Sequence, residues 1–178
     1  DAFGINAESY TGNITVTSNG AITANGYSAY GVRAVTSSSY DAYTYTSTAG
    51  DVTVTTGSTS NIKANGYVAY GIHAESENYV TVNNGGSILA TGDDFSIGIR
   101  TASYYTSTIT NSGTIDAAGD NAWAIVTYAE SATITNASSG KIFGAISTQY
   151  NGVADDLLTN NGKWYVGDIN GTYFGGGS

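Results

Sequence analysis

Ile62-Lys63-Ala64-Asn65-Gly66-Tyr67-Val68-Ala69-Tyr70-Gly71-Ile72-His73-Ala74 decides the fold. It repeats Ile22-Thr23-Ala24-Asn25-Gly26-Tyr27-Ser28-Ala29-Tyr30-Gly31-Val32-Arg33-Ala34 at a distance of 40 residues. Weaker copies follow. The first apolar residue recurs as Ile22, Ile62, Ile88, Ile115 and Ile142, at steps of 40, 26, 27 and 27. A second column is Ile5, Val32, Ile72, Ile99 and Ile125, at steps of 27, 40, 27 and 26. A third is Val16, Val54, Val82, Ile109 and Ile134. Independent columns sharing one period near 27 residues mark a repeat architecture. The step of 40 is one repeat plus 13, and the surplus falls in the Ser/Tyr/Thr-rich stretch 37–50. That stretch is read as an insertion projecting from one corner.

Each repeat holds three short alternating segments. The first reads Thr15-Val16-Thr17, Thr53-Val54-Thr55, Thr81-Val82-Asn83, Thr108-Ile109-Thr110 and Thr133-Ile134-Thr135. Period-two alternation with β-branched residues means strands. Asn19-Gly20, Asn25-Gly26, Asn84-Gly85, Ser112-Gly113, Ser139-Gly140 and Asn161-Gly162 punctuate them as turns. No segment keeps helical periodicity for a helix length. Three strands per repeat predict a single all-β domain over 1–178, a parallel β-solenoid of five to six coils. Coils would pair at about 4.8 Å. An antiparallel sandwich also uses short strands and frequent turns, but it does not account for a period held in several columns.

Stacked coils predict ladders. The column Ile5, Val32, Ile72, Ile99, Ile125 is expected inside, with Phe3, Tyr30, Tyr70, Ile97 and Trp123 on the same face two residues earlier. Between them Gly4, Gly31, Gly71, Gly98 and Ala124 are expected outside, as a bare face or a tight bend. Beside these, Arg33, His73 and Arg100 form one outward column, a local positive stripe on an otherwise acidic chain, or simply solvated charge. The outward Thr columns resemble the flat face of β-solenoid antifreeze proteins, although Thr is also an ordinary outward strand residue.

Composition narrows the chemistry. The chain of 178 residues has 24 Gly, no Pro, no Cys, no Met, one His and a formal charge of −9. Absent Cys excludes disulfides, thiol catalysis and zinc fingers built on Cys. Five basic residues against 14 acidic ones argue against nucleic acid, which needs a cationic surface. No apolar run approaches the ~18 residues of a membrane-spanning helix. Solenoid enzymes cluster carboxylates on neighbouring coils. Here Asp93-Asp94, Asp116, Asp120 and Asp155-Asp156 read as turn acids, with weak Ca²⁺ binding as the alternative. No cofactor and no catalytic residue is expected. Asn13, Asn136 and Asn170 begin Asn-x-Ser/Thr sequons, which permit glycosylation of an exported chain.

The motifs V-T-V-N-N-G-G-S-I (80–88), I-T-N-S-G-T-I (109–115), I-T-N-A-S-S-G-K-I (134–142) and L-T-N-N-G-K-W (158–164) resemble the right-handed parallel β-helix of autotransporter passenger domains and related surface adhesins. The resemblance implies export, a cell-surface location and a non-catalytic stalk. A chain starting at Asp1 suits either a mature product after signal-peptide removal or an excised piece. The expected function is an extracellular structural protein whose copies assemble into a layer, sheath or filament. The alternatives are an adhesin or passenger segment binding a surface ligand, and an ice-binding protein. Assembly contacts are expected from Tyr40, Tyr43 and Tyr45 of the insertion, Tyr104 and Tyr105, the Gly31/Gly71/Gly98 column, the Arg33/His73/Arg100 column, and Tyr173 and Phe174 of the Gly-rich tail 167–178.

Overall fold

The structure is a computed structural model that describes residues 1–37, 40–41, 46–47, 49–149 and 155–166. Its strands are β1 (Ala2–Ser9), β2 (Ile14–Ser18), β3 (Ala21–Asn25), β4 (Ser28–Thr36), β5 (Tyr40–Asp41), β6 (Thr46–Ser47), β7 (Val52–Thr56), β8 (Asn61–Ser76) and β9 (Val80–Asn84). They continue as β10 (Ser87–Ser103), β11 (Thr106–Asn111), β12 (Thr114–Ala118), β13 (Ala122–Tyr128), β14 (Ser131–Asn136), β15 (Lys141–Phe143), β16 (Ala145–Gln149), β17 (Leu157–Asn160) and β18 (Lys163–Tyr165). The described residues contain no helix.

All pairing outside the insertion is parallel. The first segments form a six-stranded sheet in the order β17-β14-β11-β9-β7-β2. The second row is β3, the start of β8, the start of β10, β12, β15 and β18. The third is β1, β4, the end of β8, the end of β10, β13 and β16. Register follows the sequence columns. Val16 pairs with Val54, Ile22 with Ile62 and Val32 with Ile72, although 38 to 40 residues separate the partners. The described residues of stretch 37–50 include the antiparallel pair β5–β6, outside the parallel sheets. Its surplus residues thus interrupt the spacing without disturbing the register.

The core lies between the rows. Val54, Ile62, Ile72, Ile88, Ile99, Ile109, Ile115 and Ile125 are fully buried in one cluster. Each such side chain stabilises by about 1.5–3 kcal/mol. A second, thin seam of Ala24, Ala29, Ala64, Ala69 and Ala90 fills the corner where the second row turns into the third. Only Gly26-Tyr27 separates β3 from β4 at that corner, and the equivalent Gly66-Tyr67 lie within β8.

One expected ladder is inverted. In β4 the inward residues are Ala29, Gly31, Val32, Ala34 and Thr36, so the alternation skips a beat at Gly31-Val32. β8 repeats this at Gly71-Ile72. The Gly column therefore faces inward, and Phe3, Tyr30 and Tyr70 face outward, only half-covered or exposed. The cause is close approach inside the coil. A Cβ on Gly71 would sit 2.5 Å from the Gly98 carbonyl oxygen and overlap Ile88 Cγ2, and Gly31 meets Gly71 and Ile62 in the same way. At Gly31, Gly71 and Gly98 only glycine leaves room for the Ile of the next coil, and the column continues as the buried Ala124.

Candidate functional site

A buried polar spine runs along the end of the first row. The column Ser18, Thr56, Asn84, Asn111, Asn136, Asn160 is in register throughout. Thr56 Oγ1 donates to Asn84 Oδ1 at 2.6 Å, Asn84 Nδ2 to Asn111 Oδ1 at 2.8 Å, Asn111 Nδ2 to Asn136 Oδ1 at 2.9 Å and Asn136 Nδ2 to Asn160 Oδ1 at 2.8 Å. Each of the three donating amides also reaches the turn carbonyl that follows it, Gly86, Gly113 or Gly140. A buried amide is costly unless paired; here each amide bonds the coil above and pins its own turn. The recurring T-N-x-G and V-N-N-G signatures carried this information, because their Asn falls at one column position. The Asn136 sequon is consequently unavailable: its amide nitrogen is buried and fully engaged. Asn13 is exposed, its Oδ1 accepting from Asp51 N at 2.8 Å.

The Arg33/His73/Arg100 column exists, since Arg33 pairs with His73 and His73 with Arg100. It is not a free positive stripe. Glu8 pairs with Arg33, while Glu75 Oε2 lies 3.2 Å from His73 Nε2 and 3.3 Å from Arg100 Nη1. Those two neighbours hold the Glu75 carboxyl at about 2. Burial keeps the His73 ring below its ordinary range despite the pull of Glu75. Arg100 Nη1 stands 2.5 Å from the same Nε2, and the buried Nδ1 of the ring has no hydrogen-bond partner. Tyr30 and Tyr70 flank the ring at 5.7 and 5.4 Å between centroids.

Aromatic stacks mark the outer faces. Phe3, Tyr30 and Tyr70 stack at 5.1 and 5.0 Å, and Tyr27 on Tyr67 at 4.9 Å. At the corner between third and first rows, Tyr79 stacks on Tyr105 at 5.4 Å, with Tyr104 set edge-on. Tyr104 and Tyr105 are exposed. Beside them a groove of about 590 Å³ is lined by Val35, Glu75, Glu77, Tyr104, Tyr128 and Gln149, among others. Gly31, Gly71 and Gly98 are buried, so they cannot be surface contacts. Tyr43, Tyr45, Asn170, Tyr173 and Phe174 lie outside the described residues, and so does the side chain of Tyr40. The Thr face is outward as expected. Thr15, Thr53, Thr81, Thr108 and Thr133 form one column, and Thr17, Thr55, Asn83, Thr110, Thr135 and Thr159 the next.

Among the described residues no three His, Cys, Asp or Glu side chains gather as a metal site. Asp116 is half-buried, and burial raises its carboxyl above the ordinary range. Among the described residues no helix is long and apolar enough to cross a membrane. No protein-family model, curated protein or solved structure matches the chain.

The ends differ from the middle. Among the described residues β1, β2 and β3 each pair on one side only, and so do β16, β17 and β18. At one end Leu157, Leu158, Trp164, Tyr165 and Val166 stay exposed, while the equivalent Ile62 and Val54 inside are at 0%.

Proposed function

We propose that the three rows wind as one right-handed parallel β-helix of about 27 residues per coil, five to six coils long. We propose further that it serves as a non-enzymatic extracellular structural element whose copies self-assemble into a layer, sheath or filament. The observation that supports this best is the edge of β16, β17 and β18, which is unpaired among the described residues and leaves Leu158 and Trp164 exposed. Exposed strand edges template pairing with other chains. Export follows from the resemblance, as does residence at the cell surface. Electron microscopy of the purified chain at rising concentration tests the reading: regular polymers are expected, and a monodisperse monomer at high concentration would remove it.

A second reading, an adhesin or passenger segment, is favoured by the Tyr-rich corner. Exposed Tyr79, Tyr104, Tyr105 and Tyr128 beside a groove offer rigid amphipathic contact area at low entropic cost. Replacing Tyr104 and Tyr105 with Ser would abolish adhesion on this reading, and unchanged adhesion would remove it. The Thr columns make ice binding a third reading, measured by thermal hysteresis before and after Thr81→Tyr.

A further inference from the structure

Two pairs of stacked tyrosines bridge neighbouring coils at the surface. Tyr27 stacks on Tyr67 with ring centroids 4.9 Å apart and planes 15° from parallel. Tyr79 stacks on Tyr105 at 5.4 Å and 27°. All four rings are exposed, Tyr27 at 71% and the others between 41% and 47%. Backbone pairing holds both pairs in place. Val68 N donates to the Tyr27 carbonyl at 2.9 Å, and Tyr105 N to the Asn78 carbonyl at 3.2 Å. The partners are 40 and 26 residues apart in sequence, yet they cannot separate while the coils stay paired.

Other described tyrosines lack one of these conditions. Tyr30 stacks on Tyr70 at 5.0 Å, but both rings are half-buried. Tyr10 is 79% exposed but forms no ring stack among the described residues. Tyr165 is exposed but stacks on Phe143, which has no phenol. Tyr104 meets Tyr105 edge-on within one coil, so a link there would join no two coils.

We propose that Tyr27–Tyr67 and Tyr79–Tyr105 are sites of oxidative cross-linking, each closing into a dityrosine that staples two neighbouring coils of one chain. The oxidant is hydrogen peroxide acting through a haem peroxidase. Each phenol gives up one electron and one proton. The two phenoxyl radicals join through a carbon ortho to each oxygen, forming one C–C bond. The hydrogen on each joined carbon then moves to its oxygen, which restores both rings. The pair loses two hydrogen atoms in all, and the peroxide leaves as two waters. Because the rings are held side by side, coupling within the pair outruns any encounter in solution. The staple lies within one chain, so it does not depend on copies assembling.

The test oxidises the purified dilute chain briefly with a haem peroxidase and hydrogen peroxide. Dityrosine fluorescence is expected in the monomer, with a mass lower by two hydrogens per staple. Peptide mapping should join the Tyr27 peptide to the Tyr67 peptide, and the Tyr79 peptide to the Tyr105 peptide. The stapled chain should melt roughly 5–10 °C higher, because links across loops of this length restrain the unfolded chain. Tyr67→Phe/Tyr105→Phe keeps the stacked rings and removes one phenol from each pair. It should lose both links and the gain in melting temperature, with circular dichroism checking its fold. Tyr10→Phe should change neither. Links that fall mainly elsewhere or between chains would overturn the proposal. So would a dityrosine yield that Tyr67→Phe/Tyr105→Phe leaves unchanged, or the same pairs linked equally well in a chain unfolded by urea. Each of these failures leaves the self-assembly reading standing.

Discussion

Asn111 carries more than its own burial. It accepts from Asn84, donates to Asn136 and holds the Gly113 carbonyl. Asn111→Ala would orphan polar atoms on both neighbours, each costing about 1–3 kcal/mol. The expected loss is about 2–4 kcal/mol, read as a drop of roughly 5–15 °C in melting temperature. Asn160→Ala, at the exposed end of the spine, should cost under about 1 kcal/mol. Equal effects at the two sites would mean the spine is not the stabilising unit. Acid tests the charged column. Glu75 titrates at about 2 in the fold and 4.5 outside it, so its stabilisation is present above pH 4.5 and is lost as pH falls toward 2. His73, held below 6.5 by burial, contributes stability above pH 6.5 that is lost below it. Asp116, raised above 3.8, acts in the opposite sense, favouring the fold on the acid side of its window. Melting temperature should therefore fall as pH drops below about 6.5, with a second decline below 4.5. Glu75→Gln should flatten that second decline; an unchanged acid branch would show that Glu75 is not its source.

At the scale of the element, the third-row strand is defined by its skipped beat. Period-two reasoning placed Tyr70 inside and Gly71 outside, because it assumed uninterrupted alternation. The actual strand turns two successive residues, Gly71 and Ile72, toward the core. A column of glycine signals close approach, and that much was legible. What approaches is the Ile side chain and backbone of the next coil, which no single-strand pattern contains. Gly71→Ala should destabilise by about 1–3 kcal/mol, since the Gly98 carbonyl it would strike belongs to a paired strand and cannot withdraw. Gly20→Ala, where nothing lies within 4 Å, is the control. Comparable urea midpoints for the two variants would contradict the inward placement. The first- and second-row strands had no such surprise: their Val and Ile alternate cleanly, and register followed directly from the repeat.

For the whole molecule, the repeat made topology legible and left function open. Spacing of equivalent Val and Ile residues fixed which strands pair, even across the insertion. The stripe of Arg33, His73 and Arg100 was legible as a column but not as a neutralised one, since Glu8 and Glu75 lie two residues along their strands and reach across to the next coil. Outward Tyr stacks follow from the same geometry: identical residues one coil apart stand near 5 Å, the ring-stacking distance. A rod built this way stiffens by repetition and needs no covalent link, which fits a chain without Cys.

The proposal that copies of this chain assemble with one another is tested most directly by electron microscopy of the purified chain across a concentration series. The account predicts regular polymers that appear as concentration rises. A monodisperse monomer at every concentration would contradict it.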